Sequence, residues 1–328
     1  MTSASANQVV RLHETGGPEV LRVETLPIPQ PGKGEVLLRQ VALGVNFIDT
    51  YFRSGLYKFP TLPAIPGMEG AGIVEAVGEG VTTLKPGARV AYAGVLGAYA
   101  HYRTIAADRL VELPESISFE LAAGIMLRGL SAHMLLRQVY NVKKGDPILV
   151  YAAAGGVGQL MCQWGKHLGA HVIGVTSSPE KAEIIRACGA ADVIVGTDEL
   201  PEQVRRITNG AMVPVVYDSV GRDTFETSLN CLAPRGLMVS YGNASGPVEN
   251  FNVAALSAHG SLYLTRPTLM TYIAKPQDLQ ASAKALFEVL AKGILKPTIG
   301  QHFALAEAAQ AHEALEGRKT TGSTILTL

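Results

Sequence analysis

Charged side chains are scarce in this 328-residue chain: they make up 17% of it, with 28 Lys plus Arg against 28 Asp plus Glu and a formal net charge of +0. That balance offers no basic field to a nucleic-acid backbone or an anionic membrane. Cysteine is scarcer still. Cys162, Cys188 and Cys231 are an odd number at wide spacing in apolar helical contexts, which excludes a disulfide framework and reads as reduced thiols of a cytoplasmic protein. No apolar stretch reaches the roughly eighteen residues of a membrane helix. The polar start, residues 1–7, lacks the apolar core of a signal peptide. Eight histidines are scattered, none at ligand spacing from a carboxylate, so no Ser/His/Asp or Cys/His nucleophile arrangement competes. Repeats and low-complexity segments are absent, and a chain this long buries a large core and divides in two.

Glycine, by contrast, is plentiful at 35 residues, and its most informative use lies at 148–158, ILVYAAAGGVG. The apolar run 148–151 has the pattern of a strand buried on both faces in a parallel sheet. It enters a turn in which Ala153, Gly155 and Gly158 take the three glycine places of a dinucleotide-binding loop: a tight turn, a backbone approach to pyrophosphate, and close helix–strand packing. Alanine suits the first place if the backbone there avoids positive φ. Val157, Leu160, Met161, Trp164 and Leu168 then mark one helical face, Gly169 a helix end, and 171–175 a second buried strand. The loop residues Gly155, Gly156, Val157 and Gly158 are therefore expected to hold phosphate at the helix N-terminus. A site for NAD usually places Asp or Glu at the end of the second strand. Here Thr176-Ser177-Ser178-Pro179 stands there, with Lys181 a helical turn on. Hydroxyls (Thr176, Ser177) with Lys181 suit a 2′-phosphate, and Ser178-Pro179 reads as N-cap and first helical position; the cofactor expected is NADPH.

The first 115 residues show short runs at 9–13, 36–45, 72–77, 89–93, 99–105 and 110–113 between Gly/Pro turns, which suggests a small barrel or sandwich. A helical stretch at 120–140 follows. Strands at 147–151, 171–175, 191–195, 213–218, 236–241 and 260–265, with helices between the first five, fit a complete doubly wound sheet. Two more helices, near 277–292 and 305–316, and a closing strand at 323–327 have no place in that sheet. They are expected to return to the first domain. The division is thus 1–125, 126–266 and a returning 267–328.

Gly145-Asp146-x-x-Leu149-x-x-x-Ala153-Ala154-Gly155-Gly156-x-Gly158-x-x-x-x-Gln163-x-x-Lys166, Asn46-Phe47-Ile48-Asp49-Thr50-Tyr51, Gly67-x-Glu69-Gly70-x-Gly72 and Tyr217-Asp218-Ser219-Val220-Gly221 resemble the zinc-independent, zeta-crystallin-like quinone oxidoreductases of the medium-chain dehydrogenase/reductase superfamily. The resemblance spans nearly the whole chain. It implies a GroES-like β-barrel domain joined to a Rossmann domain, an α/β fold with the active site in the cleft between them. Zinc-dependent relatives carry a Cys where Asn46 stands and a His where Met68 stands, and their third ligand would fall in the apolar segment 124–127. Metal is therefore not expected.

Without a Lewis acid, hydride delivery to an already electrophilic acceptor is favoured over alcohol oxidation. The leading expectation is an NADPH-dependent quinone reductase. The alternatives are a reductase of 2-alkenals or enones and, outside enzymes, a nucleotide-binding structural or RNA-binding protein, against which the neutral charge and the intact phosphate loop argue. Asn46, Asp49 and Tyr51 are the catalytic candidates; by resemblance Asn46 and Tyr51 lie beside nicotinamide and acceptor, with Tyr51 donating to a carbonyl oxygen. Resemblance also assigns cofactor contacts to Ser131, Ser219, Tyr241-Gly242-Asn243, Leu264-Thr265-Arg266 and Arg318. Gly196 replaces a tyrosine that stacks near adenine in bacterial relatives. The apolar runs 236–242 and 260–265 suggest a homodimer through the last strands of the sheet.

Overall fold

A computed structural model of the chain describes residues 6–317 and 320–328. The chain divides into two compact units, the first formed by 1–130, 273–287 and 297–328 and the second by 131–272 and 288–296.

The first unit is organised around one long strand, Glu35–Val45. Along its eleven residues it pairs antiparallel with Glu69–Val77, with Tyr102–Ala106 and with Ser323–Thr327. The closing strand of the chain is therefore part of the N-terminal sheet, as the leftover tail suggested. Ile299–Ala304, a strand the sequence reading missed, pairs parallel with it at the sheet edge. A second missed strand, Arg22–Pro27, pairs with Ala6–Arg11 as a separate two-stranded sheet. Both missed strands are half-exposed and carry polar or charged residues, so neither shows an unbroken apolar run. The core gathers Val36, Leu38, Leu43, Val74, Tyr92, Tyr99 and Leu326.

The second unit is a six-stranded parallel sheet. In chain order the strands are Pro147–Val150, His171–Thr176, Asp192–Val195, Val213–Asp218, Leu232–Ser240 and Tyr263–Thr265. Numbered one to six, their spatial order is 3-2-1-4-5-6, the doubly wound arrangement. The last strand is shorter than expected because Gly260 and Ser261 take positive φ and Leu262 donates its N–H to the Leu256 carbonyl instead of entering the ladder. The fifth is longer, with a register shift beside Arg235, also at positive φ.

The expected helix at 120–140 runs as Phe119–His133 and then widens into a π-helical turn, Met134–Val139. Contrary to the reading that no stretch is long enough, Phe119–Val139 has the length and composition of a membrane span. However, 72% of its most apolar window is buried inside the protein, as in a core helix.

Candidate active site

The glycine turn follows strand Pro147–Val150. Ala152, not Ala153, carries the positive φ of 46°, so alanine fits the first glycine place without strain. Ala153 is wholly buried and donates its N–H to the Val175 carbonyl at 3.0 Å. Gly155 is the N-cap of helix Gly156–His167. At Gly158 a Cβ would overlap the Ala152 carbonyl and stand 2.6 Å from the Ala153 Cα. Backbone cannot move aside cheaply, so only glycine lets this helix begin against the turn. Gly155 is exposed and Gly156 and Val157 half-exposed, leaving the first-turn N–H groups of a twelve-residue helix open to an anion.

The remaining expected cofactor residues of this unit fall along the carboxyl edge of the same sheet, except for Ser131, which is half-buried in helix Phe119–His133. Thr176 ends the second strand and accepts the Gly196 N–H on its carbonyl at 2.8 Å. Ser177 is exposed beyond it, and Lys181 is half-exposed in the first turn of helix Pro179–Ala187. Ser178 and Pro179 take the expected N-cap and first helical positions, but the Ser178 hydroxyl makes no capping bond. It bonds Glu180 and holds that carboxyl below its ordinary value.

The ends of the fourth and fifth strands are tied together. Asp218, wholly buried, accepts the N–H groups of Val220 and Gly221 on one oxygen and the hydroxyls of Thr224 and Ser228 on the other, at 2.7 to 3.1 Å. Ala244 donates to the Ser219 carbonyl and Tyr241 to that of Asp218. Gly242 packs so closely that a Cβ would overlap the Ser219 carbonyl. Asn243 is half-exposed beside it, Leu264 is exposed and Thr265 half-exposed, and Arg266 donates to the Ser240 carbonyl at 2.8 Å. Arg318 lies outside the described residues.

The polar candidates of the first unit fall in a different setting. Asn46 is the N-cap of helix Phe47–Ser54, and the Asp49 carboxylate accepts its backbone N–H at 2.8 Å. The Asn46 side chain makes no cap bond. Its Nδ2 donates to Glu69 Oε2 at 2.7 Å, and its Oδ1 accepts from Arg128 Nε at 3.1 Å. Asp49 is wholly buried, with Tyr99 donating to it at 3.4 Å and Tyr99 in turn 2.9 Å from His312 Nε2. Burial pushes both the Asp49 and Glu69 carboxyls up to about 7, against the pull of their hydrogen bonds and of the Arg128 charge. Tyr51 is half-buried, its ring edge-on to Tyr57 at 5.4 Å.

Sequence reasoning quoted Glu69 only as part of a turn and missed Arg128, Tyr99 and His312. The one available signal was an arginine and a glutamate placed in otherwise apolar surroundings. This donor set does not fit zinc: an amide already bonded on both sides, a thioether at Met68 and an apolar helix stand where three ligands would be needed. Among the described residues no three or more His, Cys, Asp or Glu side chains are grouped to hold a metal ion.

Residues 32–115 match the alcohol dehydrogenase GroES-like domain and 156–287 the zinc-binding dehydrogenase domain. A quinone oxidoreductase of Pseudomonas aeruginosa is 55% identical over 95% of this chain and 96% of its own. The chain belongs to the quinone oxidoreductase family of the medium-chain dehydrogenase/reductases. Within that family, the Escherichia coli quinone oxidoreductase solved with NADPH superposes with a TM-score of 0.95 at 46% identity, over 98% of this chain and all of that one. A 2-haloacrylate reductase of a Burkholderia species is 42% identical over 96% of this chain and 97% of its own.

Proposed function

We propose that the protein is an NADPH-dependent quinone reductase that works without a metal. The observation that carries this reading is a dinucleotide turn whose following strand ends in Thr176-Ser177-Ser178, hydroxyls with no carboxylate, in a chain of the quinone oxidoreductase family. When bound, NADPH supplies the hydride. The N–H groups at Gly156–Gly158 hold its pyrophosphate, that of Gly155 being given to the Ala152 carbonyl so that Gly155 offers a close backbone approach only, and Ser177 and Lys181 take the 2′-phosphate, with Arg318 as a further cation. Ser219, the Tyr241-Gly242-Asn243 loop and Leu264-Thr265-Arg266 support the nicotinamide half from the carboxyl edge, and Ser131 lies toward the carboxamide. Asn46 and Tyr51 face the acceptor, Tyr51 donating a hydrogen bond to a quinone oxygen. Asp49, a catalytic candidate without that placement, is buried at the start of helix Phe47–Ser54 and acts by holding the Asn46 backbone.

Reduction of a conjugated double bond is the second reading, favoured by the 2-haloacrylate reductase among the relatives. NADPH consumption with 1,4-benzoquinone and with 2-hexenal, each with and without a chelator, tests both. Turnover of quinone that survives chelation is expected; loss on chelation refutes the metal-free reading, and activity on the alkenal alone replaces the first reading with the second.

We further infer a homodimer formed through the edge strand Tyr263–Thr265, which presents Tyr263 at 62% and Leu264 at 38% exposure. Light scattering giving the mass of one chain would exclude it. A cytoplasmic location is supported by the three cysteines, all free and two of them buried.

A further inference from the structure

The Asn46 amide is held between two partners that permit only one orientation. Arg128 is a donor only, and its Nε points at Asn46 Oδ1 from 3.1 Å. Glu69 must accept at both oxygens: Oε1 takes the Leu127 N–H at 2.6 Å and Oε2 takes Asn46 Nδ2 at 2.7 Å. Turning the amide over would set oxygen against carboxylate and nitrogen against guanidinium. Both partners are themselves anchored. Arg128 also donates to the carbonyls of Val45 and Gly322 and to the Ser323 hydroxyl. Gly44 leaves the space that the Glu69 carboxylate fills, since a Cβ there would overlap it. All three side chains are buried, Glu69 at 1%, Asn46 at 6% and Arg128 at 8% exposure.

With its oxygen on Arg128 and one amide hydrogen on Glu69, Asn46 keeps one further Nδ2–H. We infer that Glu69 and Arg128 are positioning residues that fix Asn46 as a hydrogen-bond donor, so that the site selects an acceptor oxygen, such as a quinone or enone carbonyl, at that point. The inference rests on the reading that Asn46 faces the acceptor.

Glu69→Gln supplies one acceptor and one donor where two acceptors are needed, so it breaks the chain of hydrogen bonds. Adding Asn46→Asp completes the chain again: the introduced carboxylate accepts both from the introduced amide and from Arg128, the buried charge count is unchanged, and only the spare N–H is lost. The measurements are kcat and the KM values for NADPH and 1,4-benzoquinone, with the thermal midpoint of each variant, and with Asn46→Ala as reference. The expected result for E69Q is a fall in kcat of about tenfold or more, an unchanged KM for NADPH and a lower midpoint. In E69Q/N46D the midpoint recovers and kcat does not.

Recovery of kcat together with the midpoint would show a purely structural network and overturn the inference, as would an E69Q enzyme with wild-type kcat beside a slowed N46A. If N46A itself turns over at the wild-type rate, it is the placement of Asn46 that fails, and the inference goes with it. Should E69Q not fold, E69Q/N46D and N46A together decide the matter: a fast double variant refutes donor selection, and a folded but slow one supports it.

Discussion

The carboxyl edge of the parallel sheet and the polar interior of the first unit solve the same task by opposite means. The first removes side chains. At Gly155, Gly158 and Gly242 the backbone itself forms the surface, and an added carbon meets a carbonyl or a Cα. The second adds side chains and ties each down, with Asn46, Glu69, Arg128, Asp49 and Tyr99 all buried and bonded to one another or to backbone. A backbone surface tolerates no volume. A bonded interior tolerates, besides, no change in polarity or charge.

Substitutions should therefore fail for different reasons in the two places. Gly158→Val should have the largest effect. Its branched carbons would collide with the Ala152–Ala153 backbone and shift the start of helix Gly156–His167, at a cost of about 1–3 kcal/mol in stability with loss of NADPH binding. Fluorescence titration with NADPH checks this, and unchanged affinity would mean the turn does not carry the cofactor. Lys181→Ala adds no volume and removes one charge. One charge-assisted hydrogen bond is worth roughly 1.5–3 kcal/mol, so kcat/KM for NADPH should fall on the order of tenfold to a hundredfold while that for NADH stays put. An equal loss with both would place Lys181 away from the 2′-phosphate.

The same contrast decides how much could be read from the sequence. A backbone surface demands small residues at fixed spacing, so the six-stranded sheet and its edge are legible in ILVYAAAGGVG and the strand–helix alternation after it. The bonded interior has no spacing rule. Glu69 lies 23 positions from Asn46 and Arg128 lies 82, and only the folded sheet brings them together. Asp49 shows the limit from the other side. Its place three residues after Asn46 marks equally a catalytic carboxylate and a helix-start acceptor, and the structure shows the bond of the second, to the Asn46 N–H. The strands at 22–27 and 299–304 escaped because half-exposed polar edges carry no strong alternation.

Away from Asn46, removal of one partner from a bonded pair of the first unit should cost stability rather than catalysis. Arg53 is 3% exposed and forms a forked pair with Glu316 at 2.8 and 2.9 Å. Among the described residues, Glu316→Ala leaves the guanidinium with the Gly16 carbonyl as its side-chain partner. A loss of roughly 1–3 kcal/mol is expected, read as a lower denaturation midpoint with kcat unchanged. A midpoint equal to wild type would show that solvent replaces the carboxylate at no cost.

The smallest effect is one of slope. The Asp49 carboxyl is raised from 3.8 to about 7, first by burial and also by the neighbouring Glu69 charge, with the Asn46 N–H, Tyr99 and Arg128 pulling it down. Between those values the folded protein holds a proton that the unfolded chain has released. The stability from this group is therefore full below about pH 4 and is lost as pH rises through about 7. His312, two bonds away through Tyr99, is pushed by burial from 6.5 down to about 3 and works in the opposite direction: its contribution is present above 6.5 and is lost as pH falls toward 3. The wild-type pH curve mixes the two, and Asp49→Asn separates them. The amide oxygen can still accept from the Asn46 N–H, and its nitrogen takes the place of Oδ1, which has no hydrogen-bond partner among the described residues. The midpoint of D49N relative to wild type should thus climb from pH 5 to about pH 7 and level off above it. A constant difference across that range would mean that Asp49 titrates at its ordinary value, and that charge in this interior is carried elsewhere.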